Sequence, residues 1–499
     1  LWGRGVGVLV WALLAAAAYI ATRGRTISPR ATVAGLAVCV ALAWLGLAAM
    51  EGRPPPLDTT AWVAGALGAA LLLGGNAFLL APLALWPGPA ETWTAAGAVP
   101  EGRDIVVVSV DTLRLDAARG MAAFRDGTLL EGQAPAPWTL PSLATLHTGL
   151  LPGNHGAVRV PSGFAATDAT TLAERFAAAG WDTAATVESP FAGARFGLQR
   201  GFAVVRADGA RPWVLPRAPF GGRSRPTATL GLGLLGVVPL EDGGVERRVA
   251  DVADFLAMRR DRPVFVWVHV LDVHLPYRHA PDLDLPWATR AWLATTHRNA
   301  IGPAPDAKTL ALLKTAYAHE VEVVDEALVR LRALLPDAVW VMTADHGEEL
   351  GEHGGFEHGH SFHQELLGIP LLFDGVAVDP DGPAGLQDVA PTLLGLAGLP
   401  ADGLDGRDLR VPGDAPLPSV NLLYGALEDR AIRVGSRKVI EAAGATRGYD
   451  LAADPGERAP VAAEAALEAL LPAVPGTAGA AVPLDTEATD ALRALGYVE

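Results

Sequence analysis

Residues 341–363 read VMTADHGEELGEHGGFEHGHSFH. An apolar run, Ala338–Met342, leads into Asp345 and His346, and a glycine-rich loop follows. Five of the chain's 12 histidines fall in this stretch: His346, His353, His358, His360 and His363. Glu348, Glu349, Glu352 and Glu357 lie among them. A strand that delivers an Asp-His pair at its carboxyl end suits an open α/β sheet, where ligands bind beyond the strand ends. Carboxylate and imidazole in one loop suit a divalent cation. The plainer alternative is a solvated polar loop.

Further apolar runs surround this one. Asp104–Val110 is rich in β-branched residues and predicts a buried parallel strand, with Asp111 at its carboxyl end. Pro263–Leu271 predicts another, followed by Asp272 and His274. Thr183–Val187, Ala338–Met342 and Ile369–Phe373 are further strand candidates, and Leu172–Gly180, Val245–Met258 and Leu310–Leu335 read as helices. Alternation of this kind predicts an α/β sheet covered on both faces. Residues 205–243, rich in Gly, Pro and Arg, predict a loop insertion. The weaker patterning from about residue 415 predicts a smaller C-terminal subdomain.

Residues 136–149 read APWTLPSLATLHTG. Thr139 precedes a helical stretch with Pro141 in its first turn, which predicts a capping threonine. The same position carries a chemical reading. A helix N-terminus presents free N–H groups and the positive end of the dipole, which favour an anion. With a cation on Asp111, Asp345 and His346, the hydroxyl could be deprotonated and aimed at a phosphorus or sulfur centre.

Composition narrows the field. The net charge of −16 argues against a nucleic-acid partner. Cys39 is the only cysteine, which excludes a disulfide, a thiolate zinc site and a cysteine nucleophile. The 50% hydrophobic content is concentrated at the front of the chain. Val6–Thr22, Ala31–Met50 and Ala61–Trp86 are each near the ~20 residues that cross a bilayer as a helix. They predict three transmembrane helices (6–22, 31–50 and 61–86) anchoring residues 1–90 in a lipid bilayer, with a linker at 91–103. None carries a charge at mid-span, so they read as an anchor rather than a transport path. Arg23, Arg25 and Arg30 place their loop in the cytoplasm by the positive-inside rule, which after three spans leaves the C-terminal part there too. The opposite orientation puts that part outside; the sequence leaves both open.

Taken together, the motifs resemble the sulfatase branch of the alkaline-phosphatase superfamily, from about Asp104 to the last residue. VVVSVDTLRLD is similar to the opening strand and its metal Asp, WTLPSLATLHTGLLPGNHGA to the nucleophile helix, HVLDVHLPY to the histidine-containing active-site loop, and TADHGEELGEHG to the second metal-binding segment. LQDVAPTLLGLAGLP, DGRDL, RAIRVGSRKVI, YDLAADPGE and LRALGY resemble later landmarks in the family's order. The resemblance implies an alkaline-phosphatase-like α/β/α sandwich over residues 104–414, completed by a C-terminal subdomain over 415–499. It implies Asp111, Asp345 and His346 as ligands of one divalent ion (Ca, Mn, Mg or Zn), and Thr139 as the nucleophile. It places His274, His358 and His360 near the leaving group, and Asn154 and Ser142 at an anionic ester substrate.

The chain departs from the family pattern in three places. Sulfatases carry Cys or Ser in a Cys/Ser-x-Pro-Ser-Arg segment and oxidise it to formylglycine; here the segment reads Thr139-Leu-Pro-Ser142-Leu143. Oxidised threonine is a ketone, not an aldehyde, so formylglycine is not expected. Leu143 removes a cation beside the nucleophile. The Asp-Asp pair of calcium-binding members is Asp111-Thr112. An Asp/Thr/Asp/His set is more similar to threonine-nucleophile members: phosphodiesterases and membrane phosphoethanolamine or phosphoglycerol transferases. That likeness implies an integral protein of a bacterial inner membrane with its catalytic domain on the extracytoplasmic side. The expected function is metal-dependent hydrolysis of sulfate or phosphate esters. The alternatives are a transferase of the same superfamily and, favoured by Leu143, a sulfatase-like binding protein without catalysis.

Overall fold

Ile105–Val110 forms strand β1 with all six residues buried, as a strand covered on both faces requires. In the computed structural model, residues 99–473 are described apart from 160–168, 194–195, 208–243, 260, 276, 281–282, 284, 287–303, 380 and 423–428. The chain divides into two compact units, Leu1–Glu91 and Thr92–Glu499. The predicted spans at 6–22, 31–50 and 61–86 fall in the first and lie outside the described residues, as do linker positions 91–98 and insertion positions 208–243. Among the described residues, no helix is long and apolar enough to cross a membrane.

The central sheet contains β1, β2 (Thr128–Gln133), β3 (Asp182–Val187), β4 (Val204–Ala207), β5 (Val264–Val270), β6 (Val339–Ala344), β9 (Gly368–Asp374) and β10 (Ala384–Gly385). A two-stranded ribbon of β7 (Glu349–Leu350) and β8 (Phe356–Glu357) stands apart from it. The sheet order is β10-β2-β9-β6-β1-β5-β3-β4. The predicted strands lie within one or two residues of their observed limits. Three strands of this sheet escaped prediction: β2, whose TLLEGQ carries Glu131 and Gly132, and the short β4 and β10.

The sheet is mixed rather than uniformly parallel. β9 pairs antiparallel with both β6 and β2, whereas β1, β3, β4, β5 and β6 run parallel. The segment from β6 to β9 holds only a four-residue helix, too little for the crossover that a parallel neighbour needs. The chain therefore turns back beside β6.

Six helices position the site: α1 (Thr139–Thr148), α2 (Pro152–His155), α3 (Leu172–Ala178), α4 (Gly244–Met258), α5 (Ala307–Leu334) and α6 (Gln364–Leu367); α7 (Val389–Leu396) supports them. α4 packs on α5, and α1 packs on α3 and α7, giving two helical groups that suit a sheet covered on both sides. α3 opens with a capping box between Thr171 and Glu174.

Near the predicted boundary at 415, a second sheet begins. β11 (Leu417–Asn421), β12 (Asp429–Val434), β13 (Arg437–Ala442) and β14 (Ala445–Asp450) pair antiparallel in sequence order. Side chains alternate as a two-faced sheet demands. The cross-strand pair Ala431 and Ile440 joins the main core, while Ile432 and Val439 pack with Leu467 in a separate cluster. β11 is tied to the chain leading into α1: Val420 N–H donates to the Pro135 carbonyl at 2.9 Å and Ser419 Oγ to the Ala134 carbonyl at 2.8 Å.

Candidate active site

β1 and β6 are parallel neighbours with Val110 opposite Ala344, so the residues that follow them emerge at one sheet edge. Asp111, Asp345 and His346 therefore converge, and all three are buried. Thr112 takes a left-handed φ of 59°, and Gly347 lies where a Cβ would strike the Glu365 carbonyl. Strained or crowded backbone of this kind persists where the surroundings fix it, and both positions adjoin the convergence point.

α1 delivers Thr139. Trp138, extended and fully buried, occupies the N-cap position, and Thr139 is the first helical residue. This corrects the capping role predicted for Thr139. Its hydroxyl is instead 3.4 Å from Asp111 Oδ2 and 3.3 Å from His346 Nε2.

The protonation pattern bears on a cation. His346 Nδ1 is 2.9 Å from the Gly347 carbonyl, which only accepts, so Nδ1 carries the proton. In the neutral ring, Nε2 then presents a lone pair 3.4 Å from Asp111 Oδ1 and 3.5 Å from Asp345 Oδ2. Those two oxygens are buried and make no hydrogen bond. Three potential ligand atoms thus face one another with no hydrogen bond joining them. Ligand atoms about 2.0–2.2 Å from a tetrahedral ion stand roughly 3.3–3.6 Å apart, so the residues present fit a divalent ion. The second-shell carbonyl on Nδ1 is the usual device for orienting a metal-binding imidazole. Burial and the negative charge of Asp111 push Asp345 far above the usual carboxylate range. Burial acts on Asp111 in the same sense, but His274, His269 and His346 outweigh it and hold Asp111 low.

Around this centre lie three more rings and a carboxyl group. The His358 ring is 4.5 Å from that of His346 and 4.9 Å from that of His274, centroid to centroid. His358 Nδ1 is 2.9 Å from Glu348 Oε1. Burial pushes Glu348 up to about 7 against the pull of His274 and His346. Burial lowers His274, and burial with the nearby His346 lowers His358 further. His274 Nδ1 donates to the Leu275 carbonyl, leaving Nε2 for a ligand.

His269 was not anticipated. It lies opposite Ser109 in the β1–β5 register, its Nδ1 is 2.9 Å from Ser109 Oγ, and its Nε2 is 3.6 Å from Asp111 Oδ2. Trp267 Nε1 donates to the same Ser109 oxygen at 3.0 Å. The available signal was a polar residue within each of two otherwise apolar strands.

Four sequence-derived roles need correction. Asn154 is exposed, and its amide donates to both oxygens of Asp405 at 2.8 Å. Asp405 in turn donates its N–H to the carbonyl of Gly149, the C-cap of α1, at 2.9 Å, which ties Asn154 to the helix end away from Thr139. Ser142 Oγ donates to the Ala136 carbonyl at 3.0 Å, fixing the entry to α1, and its side chain is buried. His360 is not grouped with the three rings: its Nε2 is 2.7 Å from Glu349 Oε2. His353 and His363, counted in the sequence among the histidines of the candidate metal loop, stack at 3.6 Å and face the C-terminal sheet through the Glu457 carbonyl and Tyr449.

The Glu349–His360 pair carries a pH prediction. Glu349 is held at about 2, below its ordinary 4.5: burial opposes this, but His360 and the Gly355 N–H outweigh it. That contribution is complete above pH 4.5 and fades as pH falls toward 2. Glu349 in turn raises His360 above its ordinary 6.5, against burial, so the imidazole's share is complete below pH 6.5 and is lost as pH rises through the raised value. The stability difference between wild type and His360→Gln, followed by urea midpoint, is expected to peak between pH 4.5 and 6.5. A difference that does not vary with pH removes the pair from the account.

Comparison with known proteins bears on the family and the fold. Residues 111–399 match the family described as Sulfatase. A phosphonate monoester hydrolase from Silicibacter pomeroyi is similar in structure, with a TM-score of 0.54, 20% identity, and coverage of 74% of this chain and 93% of that one. A phosphonate monoester hydrolase from Agrobacterium radiobacter gives a TM-score of 0.51 with 21% identity over the same 74% of this chain and 93% of that one. The low-salt glycan biosynthesis sulfotransferase Agl7 of Haloferax volcanii is 40% identical over 84 residues, which cover 15% of this chain and 21% of that protein. The chain thus matches about a fifth of the length of that curated relative.

Proposed function

From the premise that this chain belongs to the sulfatase family, whose members include sulfuric and phosphoric ester hydrolases, we propose that it cleaves anionic sulfate or phosphate esters with Thr139 as the nucleophile. The observation that carries this reading is the convergence of Thr139 Oγ1 on Asp111 and His346 at 3.4 and 3.3 Å, beside buried carboxylate oxygens that lack partners.

Asp111, Asp345 and His346 would hold one divalent ion, which when bound lowers the pKa of a neighbouring hydroxyl and neutralises ester oxygens. Thr139 Oγ1, its proton released to solvent, attacks the sulfur or phosphorus, forming a covalent ester as the bond to the leaving oxygen breaks and that oxygen takes a proton from His274 or His358. His358, 4.5 Å from the His346 ring, and His274, 4.9 Å from the His358 ring, would supply the polar wall around that oxygen. Burial holds both rings below the ordinary imidazole value, and an anionic substrate would raise their pKa and let them donate a proton. His269 orients Asp111. Arg114 donates to the Glu348 carbonyl at 2.8 Å and pairs with Glu352 at 3.0 Å, tethering the loop that carries Glu348. Water then releases the covalent ester.

A second reading is transfer of the group to an alcohol rather than to water. The naming of the Haloferax volcanii relative as a sulfotransferase favours it. An N-terminal membrane anchor, with the catalytic unit outside the cytoplasm, also belongs to the proposal; the three apolar runs support it.

The test is an activity panel on the purified full chain: 4-nitrophenyl sulfate, 4-nitrophenyl phosphate and bis-4-nitrophenyl phosphate, each with Mn, Ca, Mg or Zn. Turnover of at least one ester is expected, abolished by chelation and restored by the metal. No turnover with any pair, with and without an added alcohol acceptor, would overturn the reading in favour of a binding protein. The anchor fails if the chain leaves the membrane pellet during high-pH carbonate washing.

A further inference from the structure

Asp272 leaves β5 two residues before His274, and the sequence groups the two together. The structure separates them. His274 joins Asp111 and His358, whereas Asp272 joins a second buried polar cluster with Glu188, Arg278, His279 and Glu320. Ligand atoms of Asp272, His279 and Glu320 all lie within 4.8 Å of one another. Asp272 and Glu320 are buried and His279 is partly exposed, which gives solvent a route in.

The hydrogen bonding of this cluster is incomplete. Neither oxygen of Asp272 has a hydrogen-bond partner, nor does Glu188 Oε2. Arg278 Nε is 3.6 Å from Asp272 Oδ1, beyond bonding reach, because the guanidinium pairs with Glu188. Glu188 also accepts the Gly244 N–H at 3.2 Å. Glu320 takes both the His279 N–H and its ring Nδ1, the latter at 2.6 Å. Among the described residues, three buried carboxylates thus face one guanidinium and one imidazole. Burial and the neighbouring Glu188 push Asp272 up to about 7, so even with His279 protonated the cluster needs either a proton on Asp272 or a further cation to balance it.

We propose that Asp272, Glu320 and His279 form a second divalent-cation site, separate from the Asp111 centre. With His279 as a neutral ligand, a divalent ion and Arg278 balance the three carboxylates to neutrality. Two carboxylates and one imidazole suit a first-row ion such as Mn²⁺ better than Ca²⁺, which favours all-oxygen sites. Gly244 fits the same picture: at φ 65° it presses its Cα against Asp272, where a Cβ would strike Oδ1. The cation would tie the start of α4 and the middle of α5 to the segment that presents His274.

The experiment counts Mn²⁺ bound to the purified full chain after gel filtration, with folding of each variant confirmed by circular dichroism. Asp345→Asn removes a ligand of the first centre and is expected to retain about one equivalent of Mn²⁺. Asp345→Asn combined with Asp272→Asn is expected to lose it. Should that double variant fail to fold, His279→Gln replaces Asp272→Asn. An Asp345→Asn protein with no bound Mn²⁺, or a double variant that retains as much as the single, overturns the proposal. The catalytic reading is judged separately: it fails if wild type binds no more Mn²⁺ than Asp345→Asn.

Discussion

Thr139→Ala is expected to lower turnover by about 10⁴-fold or more, because removing the group that forms the covalent ester leaves only binding and charge stabilisation. The variant is expected to keep its divalent ion. Asp111, Asp345 and His346 form a buried group without Thr139, and the residue contributes one hydroxyl at their edge. Structure should change little, since α1 is capped by Trp138 and buried along its whole length whatever residue stands at 139. Thr139→Ser retains the hydroxyl and is expected to recover part of the activity. The paired measurement is turnover of the best ester from the panel together with metal content by mass spectrometry. Activity of Thr139→Ala within tenfold of wild type would falsify the nucleophile assignment. Loss of metal along with activity would make Thr139 mainly a ligand.

The largest stability effect is expected at Lys438. Its ammonium is 2.8 Å from Glu457 Oε1, neither side chain is exposed, and it also donates to the Phe362 carbonyl. Burial lowers its pKa and Glu457 opposes that fall. Glu457 holds a φ of 50°, accepts the Gln364 N–H at 2.5 Å and offers its carbonyl to His353 at 3.2 Å. The pair therefore joins β13 to the middle and the C-terminal end of the histidine loop. Lys438→Met strands the Glu457 charge and is expected to lose about 3–5 kcal/mol, read from the urea midpoint. Lys438→Met with Glu457→Gln removes both charges and is expected to lose much less. Equal losses in the two variants would mean that packing, not the stranded carboxylate, sets the effect.

How far the site was legible depended on the range of the interaction. Asp111 and Asp345-His346 stood out because each follows a run of β-branched or apolar residues, and a run of that kind ends at a sheet edge whatever its neighbours are. Thr139 stood out because a threonine before a proline-containing turn marks a helix start, although Trp138 took the cap. His269 was not legible: its meaning depends on Ser109 and Asp111 lying on the adjacent strand. The sequence grouped His358 with His360 near the leaving group, and only folding turned His358 toward His346 and His360 toward Glu349.

The sequence by itself determined the α/β class, the positions of the main strands and helices, the identity of the convergent Asp, Asp, His and Thr, and the sulfatase likeness. The class and the element positions follow from local periodicity and from residue types at strand and helix ends; the sulfatase likeness and the site assignments it implies rest on the motifs' resemblance to that family. Only the tertiary structure decided that β9 runs antiparallel, that Asn154 lies at the far end of α1, and that Asp272 leaves the first centre for Glu188, His279 and Glu320. The physical reason is the same in each case. Hydrophobic pattern fixes which face of an element is buried, but strand order and loop path fix which side chains meet there, and those depend on residues far apart in the chain.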